Sequence, residues 1–165
     1  MQSNSARRLL LCFLIILLMP QISNGTPAQS TVLYREGTEL FKKGDISAAE
    51  QKFMESVKLS PSYSLAHYGL GRVYLMNKDK TDDAIKSFRR SVELDPGLAK
   101  GYFYLGLAEF IGGKYQDALH SFKAAYERDR GYVEALYNMG VIYDLLGKNY
   151  MAFVYYRQYF NEKEK

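Results

Sequence analysis

Apolar and polar residues follow a helical rhythm along most of this chain, and the rhythm is interrupted at regular intervals. The clearest stretch is 98–111, L-A-K-G-Y-F-Y-L-G-L-A-E-F-I, with apolar residues at helical spacing. Gly112-Gly113 breaks it, as glycine does just beyond a helix end. The stretch 115–128 then sets Tyr115, Ala118, Leu119, Phe122 and Ala125 on one side of a second amphipathic helix. Asp129-Arg130-Gly131 turns the chain, and the pattern begins again. The same reading predicts helices over 31–43 and 46–59, 64–77 and 81–94, 98–111 and 115–128, and 132–146 and 149–163.

Three residue series show that these helices are copies of one unit. Gly37, Gly71, Gly106 and Gly140 are separated by 34, 35 and 34 residues. Ala49, Ala84, Ala118 and Ala152 run in step with them, as do Phe53, Phe88, Phe122 and Tyr156. A fixed period of this size marks a repeated supersecondary unit, here helix, tight turn, helix, four times over. A single helix pair leaves one apolar face open, so the units must stack, and the expected fold is an all-α solenoid of eight helices. The expected packing sets Gly106 across from Ala118, with Phe122 filling space against the following unit. The extra residue in the second copy falls in the turn Asn77–Thr81, where an insertion costs little.

The spacing resembles the tetratricopeptide repeat, whose pattern is W-x2-L-G-x2-Y, then A-x3-F, then P. The second copy carries Leu70-Gly71-x2-Tyr74, Ala84-x3-Phe88 and Pro96. The first has Gly37-x2-Leu40, Ala49-x3-Phe53 and Pro61. The third has Tyr102-x2-Leu105-Gly106 and Ala118-x3-Phe122, with Glu109 in place of an aromatic and Arg130 in place of proline. The fourth has Met139-Gly140-x2-Tyr143 and Ala152-x3-Tyr156, with bulky Tyr159 where the other copies have Ser56, Ser91 and Ala125. His67 stands where the family often has tryptophan and reads as a packing residue, and His120 falls on a solvated face. The resemblance implies a right-handed solenoid with repeats at about 30–63, 64–98, 99–132 and 133–165. It also implies that the first helix of each unit lines a concave groove that holds a protein or peptide partner. Carried to this chain, the groove residues are Tyr34, Phe41 and Lys42; Tyr68, Arg72, Leu75 and Met76; Lys100, Phe103, Leu107 and Phe110; and Tyr137, Val141 and Leu145. The aromatic ladder Tyr34, Tyr68, Phe103, Tyr137 offers broad, stiff contact area, and it can equally serve as packing. Family members that clamp a terminal carboxylate do so with Lys, Asn and Arg. The corresponding places here hold Tyr34, Thr38 and Tyr104, with only Lys100 in keeping, so an amphipathic or extended apolar ligand is expected rather than an acidic tail.

The last helix, 149–163, reads N-Y-M-A-F-V-Y-Y-R-Q-Y-F-N-E-K, with aromatics around most of its circumference. Arrays of this kind normally end in a polar capping helix, and none follows within this sequence. Phe153, Val154, Tyr156, Tyr159 and Phe160 are therefore candidates for an interface, and a self-associating structural subunit is the alternative to a groove-binding adaptor.

The first 25 residues read as an address. Arg7-Arg8 precedes the unbroken apolar run Leu9–Met19, Pro20 stops it, and Ser23 and Gly25 supply small residues for a cut after Gly25. Eleven apolar residues make a helix of about 16 Å, near half of a hydrocarbon core, which favours a cleaved signal over a spanning anchor. An uncleaved segment would instead hold the array at a membrane. Residues 26–30, T-P-A-Q-S, read as a polar linker, and 31–165 as the array. The expected location is exported, in the periplasm or cell envelope. Outside the first 25 residues the chain carries 20 basic and 18 acidic residues, which gives no case for nucleic acid. Cys12 is the one cysteine and lies in the address, so the body can form no disulfide or cysteine metal site. No catalytic, phosphate-loop or metal motif occurs, and the sequence predicts a non-enzymatic protein without cofactor or metal.

Overall fold

The computed structural model describes residues 27–164. They form α1 (Pro27–Lys42), α2 (Ile46–Leu59), α3 (Ser64–Leu75), a short 3-10 turn (Lys78–Lys80), α4 (Thr81–Leu94), α5 (Ala99–Ile111), α6 (Tyr115–Arg128), α7 (Glu134–Leu145) and α8 (Asn149–Lys163). Each odd helix pairs with the even helix that follows it, and each pair stacks on the next. The expected all-α solenoid of eight helices is what the described residues form. The predicted address, residues 1–25, lies outside the described residues, as does Thr26.

One boundary differs by more than two residues. From Pro27 onward the stretch expected to be a linker is the first turn of α1. Proline suits a first helical position because it has no amide to satisfy there. Ser30 is buried, and its carbonyl accepts a hydrogen bond of 2.7 Å from Ser56 Oγ on α2, so the turn is tied into the first helix pair.

Within three units the odd helix ends in a glycine with positive φ: Gly44 at 83°, Gly113 at 72° and Gly147 at 69°. Only glycine reaches that region at no steric cost, which makes these sharp stops. The second unit has no such glycine. Its extra residue is absorbed by the 3-10 turn, where the Asn77 side chain accepts from the Asp79 amide at 3.0 Å. Between units, the Gly97 and Gly131 amides donate to Asp95 Oδ1 and Asp129 Oδ1 at 3.1 and 2.8 Å. The same aspartate turn therefore forms whether Pro96 or Arg130 follows it.

The core is a string of phenylalanines seated on glycines. A Cβ added at Gly106 would lie 2.8 Å from the Phe122 ring, so the residue opposite Gly106 is Phe122 and not Ala118. The glycine is needed because a fully buried ring from the even helix sits against it. Phe53 is held from both sides: a Cβ would come within 2.8 Å of its ring from Gly37 and 2.5 Å from Gly69 of the next unit. Phe88 lies on Gly71 and stacks on Tyr104 of the following unit at 5.9 Å. Each such ring thus closes its own pair and cements the next.

Candidate partner groove and end face

The odd helices touch one another along the array, α1 with α3 and α3 with α5, while the even helices do not approach each other as closely. The stack therefore bends toward its odd helices, which line the concave side. Every groove residue expected from the sequence lies on one of these helices except Met76, which caps the C-terminus of α3.

The structure sorts those residues by depth. Met76, Tyr137 and Leu145 are exposed, at 66, 45 and 59%. Tyr34, Phe41, Arg72, Leu75, Lys100, Phe103, Leu107, Phe110 and Val141 are half-buried, and Lys42 is exposed. Tyr68 is not a groove contact: it is 6% exposed and belongs to the core of the second unit. Its ring packs against Phe88 and Tyr104 with centroids 5.9 and 5.5 Å apart, and burial pushes its hydroxyl pKa far up. The rest of the ladder follows the same logic to a lesser degree. Tyr34 meets Phe53 and Tyr63, both at 5.8 Å, and Phe103 meets Phe122 and Tyr132 at 5.7 and 5.3 Å. The ladder is mortar between units, and only Tyr137, in the last unit, turns outward.

What remains outward is a second ladder at the C-terminal ends of the odd helices: Met76, Ile111 and Leu145. They are 66, 53 and 59% exposed and separated by the repeat period. Ile111 escaped the sequence reading because it abuts Gly112 and looked like a helix terminus. Its register with Met76 and Leu145 was the available signal. Two of the basic groove residues, Arg72 and Lys100, sit on aromatic rings, whereas exposed Lys42 pairs with Glu39. The Arg72 guanidinium lies 4.2 Å from the Phe41 ring centre and 5.8 Å from that of Tyr68, and Lys100 Nζ is 5.1 Å from Tyr68. Such placement holds the cations against the floor of the groove and leaves the apolar ladder at its rim.

The departures from the repeat pattern also find physical accounts. Glu109 is 2% exposed, and its two oxygens accept from Ser121 Oγ at 2.6 Å and from Arg89 at 3.1 Å. Burial raises its pKa above the ordinary carboxyl value, against the lowering effect of those two partners. His67 bonds the Pro61 carbonyl through Nε2 at 2.9 Å, which ties α3 to the turn before it, and His120 is exposed.

On α8, Phe153 and Phe160 are 59 and 58% exposed, and Tyr150 is 78% exposed. Val154, Tyr156 and Tyr159 are half-buried. Tyr156 departs from the expected interface because it is the fourth unit's own core ring. A Cβ at Gly140 would come within 2.5 Å of it, and its hydroxyl donates to Asp144 Oδ2 at 2.8 Å. Burial, then the Asp144 carboxylate, pushes that hydroxyl up to about 12. Tyr159 packs on Tyr137 at 5.4 Å and on Phe160 at 5.3 Å.

Among the described residues no helix is long and apolar enough to cross a membrane, and no group of three or more metal-ligating side chains occurs.

Comparison with known proteins gives a consistent picture. A family model for the tetratricopeptide repeat matches residues 34–99 and 103–150. Small glutamine-rich tetratricopeptide repeat-containing protein 2 of Saccharomyces cerevisiae is 26% identical over 96 residues, which is 58% of this chain and 28% of that protein. The chain thus spans under a third of that relative's length. Among solved structures, MamA superposes with a TM-score of 0.78 at 23% identity, covering 84% of this chain and 81% of the other. The first TPR of Spaghetti (RPAP3), solved bound to the HSP90 peptide SRMEEVD, superposes with a TM-score of 0.69 at 21% identity, covering 73% and 94%. At such identities these two likenesses bear on the fold alone.

Proposed function

We propose, from the premise that this chain belongs to the tetratricopeptide-repeat family, that it is an exported, non-catalytic adaptor whose concave face holds an amphipathic or extended apolar segment of a partner protein. The observation that carries this reading is the outward ladder Met76, Ile111 and Leu145, three large apolar side chains repeated at one position of successive units. Solvated helix faces do not repeat exposed apolar groups in register, whereas a chain lying along the groove meets them one after another. Full burial of each would contribute about 1–2 kcal/mol. Association costs several kcal/mol in lost freedom, so the ladder suffices only because the groove is already formed and loses little order of its own. Half-buried Phe41, Leu75, Phe103 and Phe110 widen the apolar strip. The RPAP3 domain, of the same fold, is a peptide binder, which supports the class of ligand and not its identity. Export rests on the charged, apolar and small-residue sequence of the first 25 residues, which places the partner in the cell envelope.

The test is affinity capture of the tagged full chain from its own host, with mass spectrometry of what is retained and of the mature N-terminus. A dominant partner should be recovered with the wild type and lost with Met76→Asp/Ile111→Asp, whose exposed positions leave the fold intact. The N-terminus should be Thr26. Equal recovery by the double variant removes the groove from the account. An intact Met1 in the membrane fraction replaces the exported adaptor with an anchored one.

A further inference from the structure

We propose that the joint between α6, α7 and α8, on the side away from the groove, is a binding site for a small organic carboxylate held by Lys123 and Tyr155. The three joints between successive units carry matched positions. At the second joint Arg89 on α4, Glu109 on α5 and Ser121 on α6 form a closed triad. The Glu109 carboxylate accepts from Arg89 at 3.1 Å and from Ser121 Oγ at 2.6 Å. At the first joint the repeat period puts Met54, Tyr74 and Ser87 in those places, so neither charge is present. At the third it puts Lys123, Tyr143 and Tyr155 there. This joint keeps the cation and a hydroxyl and supplies no carboxylate for them to hold.

A cavity of about 230 Å³ opens at the third joint. Buried Leu119 and Met139 supply its apolar part. Gln116, His120 and Lys123, on successive turns of α6, line one wall, and half-buried Tyr143 and Tyr155 line the other. None of these lining residues is acidic. The acidic neighbour of Lys123 is Glu127 at 3.7 Å, one turn further along α6. Their side chains are 64 and 54% exposed, and such a contact is worth little in water, so the ammonium can turn to an acceptor in the cavity whose wall it already forms. Burial, then the adjacent Tyr143 hydroxyl, pushes the Tyr155 hydroxyl pKa up, which keeps it protonated and able to donate. One cation with neutral donors around it suits a singly charged acceptor, as the Arg89–Glu109–Ser121 triad shows one joint earlier. The volume lies below the ~300 Å³ at which sites for drug-sized ligands begin, so the body behind the carboxylate is a single ring or a short chain. The site shares no residue with the groove, and either proposal can fail without the other.

The deciding experiment is titration of the nitrogen-15-labelled protein, isolated as its host leaves it, with benzoate, benzamide and inorganic phosphate, followed by amide resonances. Benzoate should shift the resonances around Gln116–Lys123, Tyr143 and Tyr155 saturably, with a Kd of about 1–10 mM for its nine non-hydrogen atoms. Benzamide has the same shape without the charge, and phosphate has charge without the apolar body, so both should bind at least several-fold more weakly. Lys123→Met should weaken benzoate about fivefold and Tyr155→Phe about threefold, while Lys123→Arg should retain it. Tyr143→Glu installs the carboxylate that the second joint already has, and should abolish benzoate binding while resonances elsewhere in the array stay in place. Lack of saturation, shifts centred on other residues, equal binding of benzamide or phosphate, or an unchanged Kd in both Lys123→Met and Tyr155→Phe would each overturn the proposal.

Discussion

The third and fourth units carry the same contact in different surroundings. In the third, Phe122 lies on Gly106, is fully buried and belongs to the core cluster that α7 closes. In the fourth, Tyr156 lies on Gly140 in the same way, but only one side of it is covered. Its hydroxyl finds Asp144, an exposed carboxylate at 2.8 Å, a bond that a ring enclosed on both sides would need a buried partner to make. The substitution of tyrosine for phenylalanine thus tracks a change in solvent access at a constant backbone position. A glycine–ring pair builds one unit, whereas cohesion of the array comes from the far side of the ring, which the neighbouring unit supplies.

Truncating the two rings gives the largest contrast. Phe122→Ala should cost about 3–5 kcal/mol, since it empties a site sealed on both sides. Tyr156→Ala should cost about 1–2 kcal/mol, because one side of the ring is already in water and the lost hydrogen bond is exposed. Urea denaturation followed by circular dichroism measures both. Equal losses would mean that α8 is covered in the folded protein.

Adding a methyl group sharpens the same point. Gly71→Ala drives a Cβ to within 2.7 Å of Phe88, a buried ring with nowhere to move, and should destabilise by about 1–3 kcal/mol. Gly140→Ala is nominally tighter, 2.5 Å from Tyr156, yet that ring can swing outward. The gain in helix propensity, about 0.5–1 kcal/mol, then offsets most of the strain. Thermal melts of the two variants should differ by several degrees, with Gly71→Ala the lower.

The smallest effect comes from one further matched position, Glu109 in the third unit and Tyr143 in the fourth. Tyr143 stacks on Tyr155 at 5.3 Å near the surface, whereas Glu109 is buried between α4 and α6 and held by Arg89 and Ser121. Its pKa is raised in the folded state, so the native protein holds that proton to higher pH than the unfolded chain. The stability tied to it is present below the ordinary carboxyl value of 4.5 and is lost as pH rises through the raised one. Between pH 4 and 7.5, Glu109→Gln should therefore gain stability relative to the wild type, by no more than about 1 kcal/mol because Arg89 is half in solvent. Arg89→Ala should steepen the loss. Denaturation midpoints across that range check both, and parallel curves for wild type and Glu109→Gln would remove the buried carboxylate from the account.

The helices were legible because their signals are local. Apolar spacing, glycine stops and aspartate turns act within a few residues, and seven of eight helices begin within two residues of their predicted starts. The start of α1 was missed because a long-range bond, Ser56 to the Ser30 carbonyl, holds it in place, and nothing in T-P-A-Q-S announces that partner. The site was legible only as a set of helix faces. A period of 34 says which residues share a position, but not whether another unit covers that position.

The amino-acid sequence determined by itself the repeat and the register, because these follow from helical geometry at fixed spacing; that a ring, and not the alanine of the even helix, sits against the repeat glycine of each unit came only from the structure. Only the stacked structure decided depth. Tyr68 and Tyr137 share a position and differ by 6 against 45% exposure, since Tyr68 has Tyr104 of the next unit against it and no described unit lies beyond Tyr137. Burial is a property of what lies opposite, and what lies opposite is settled only when the units close on one another.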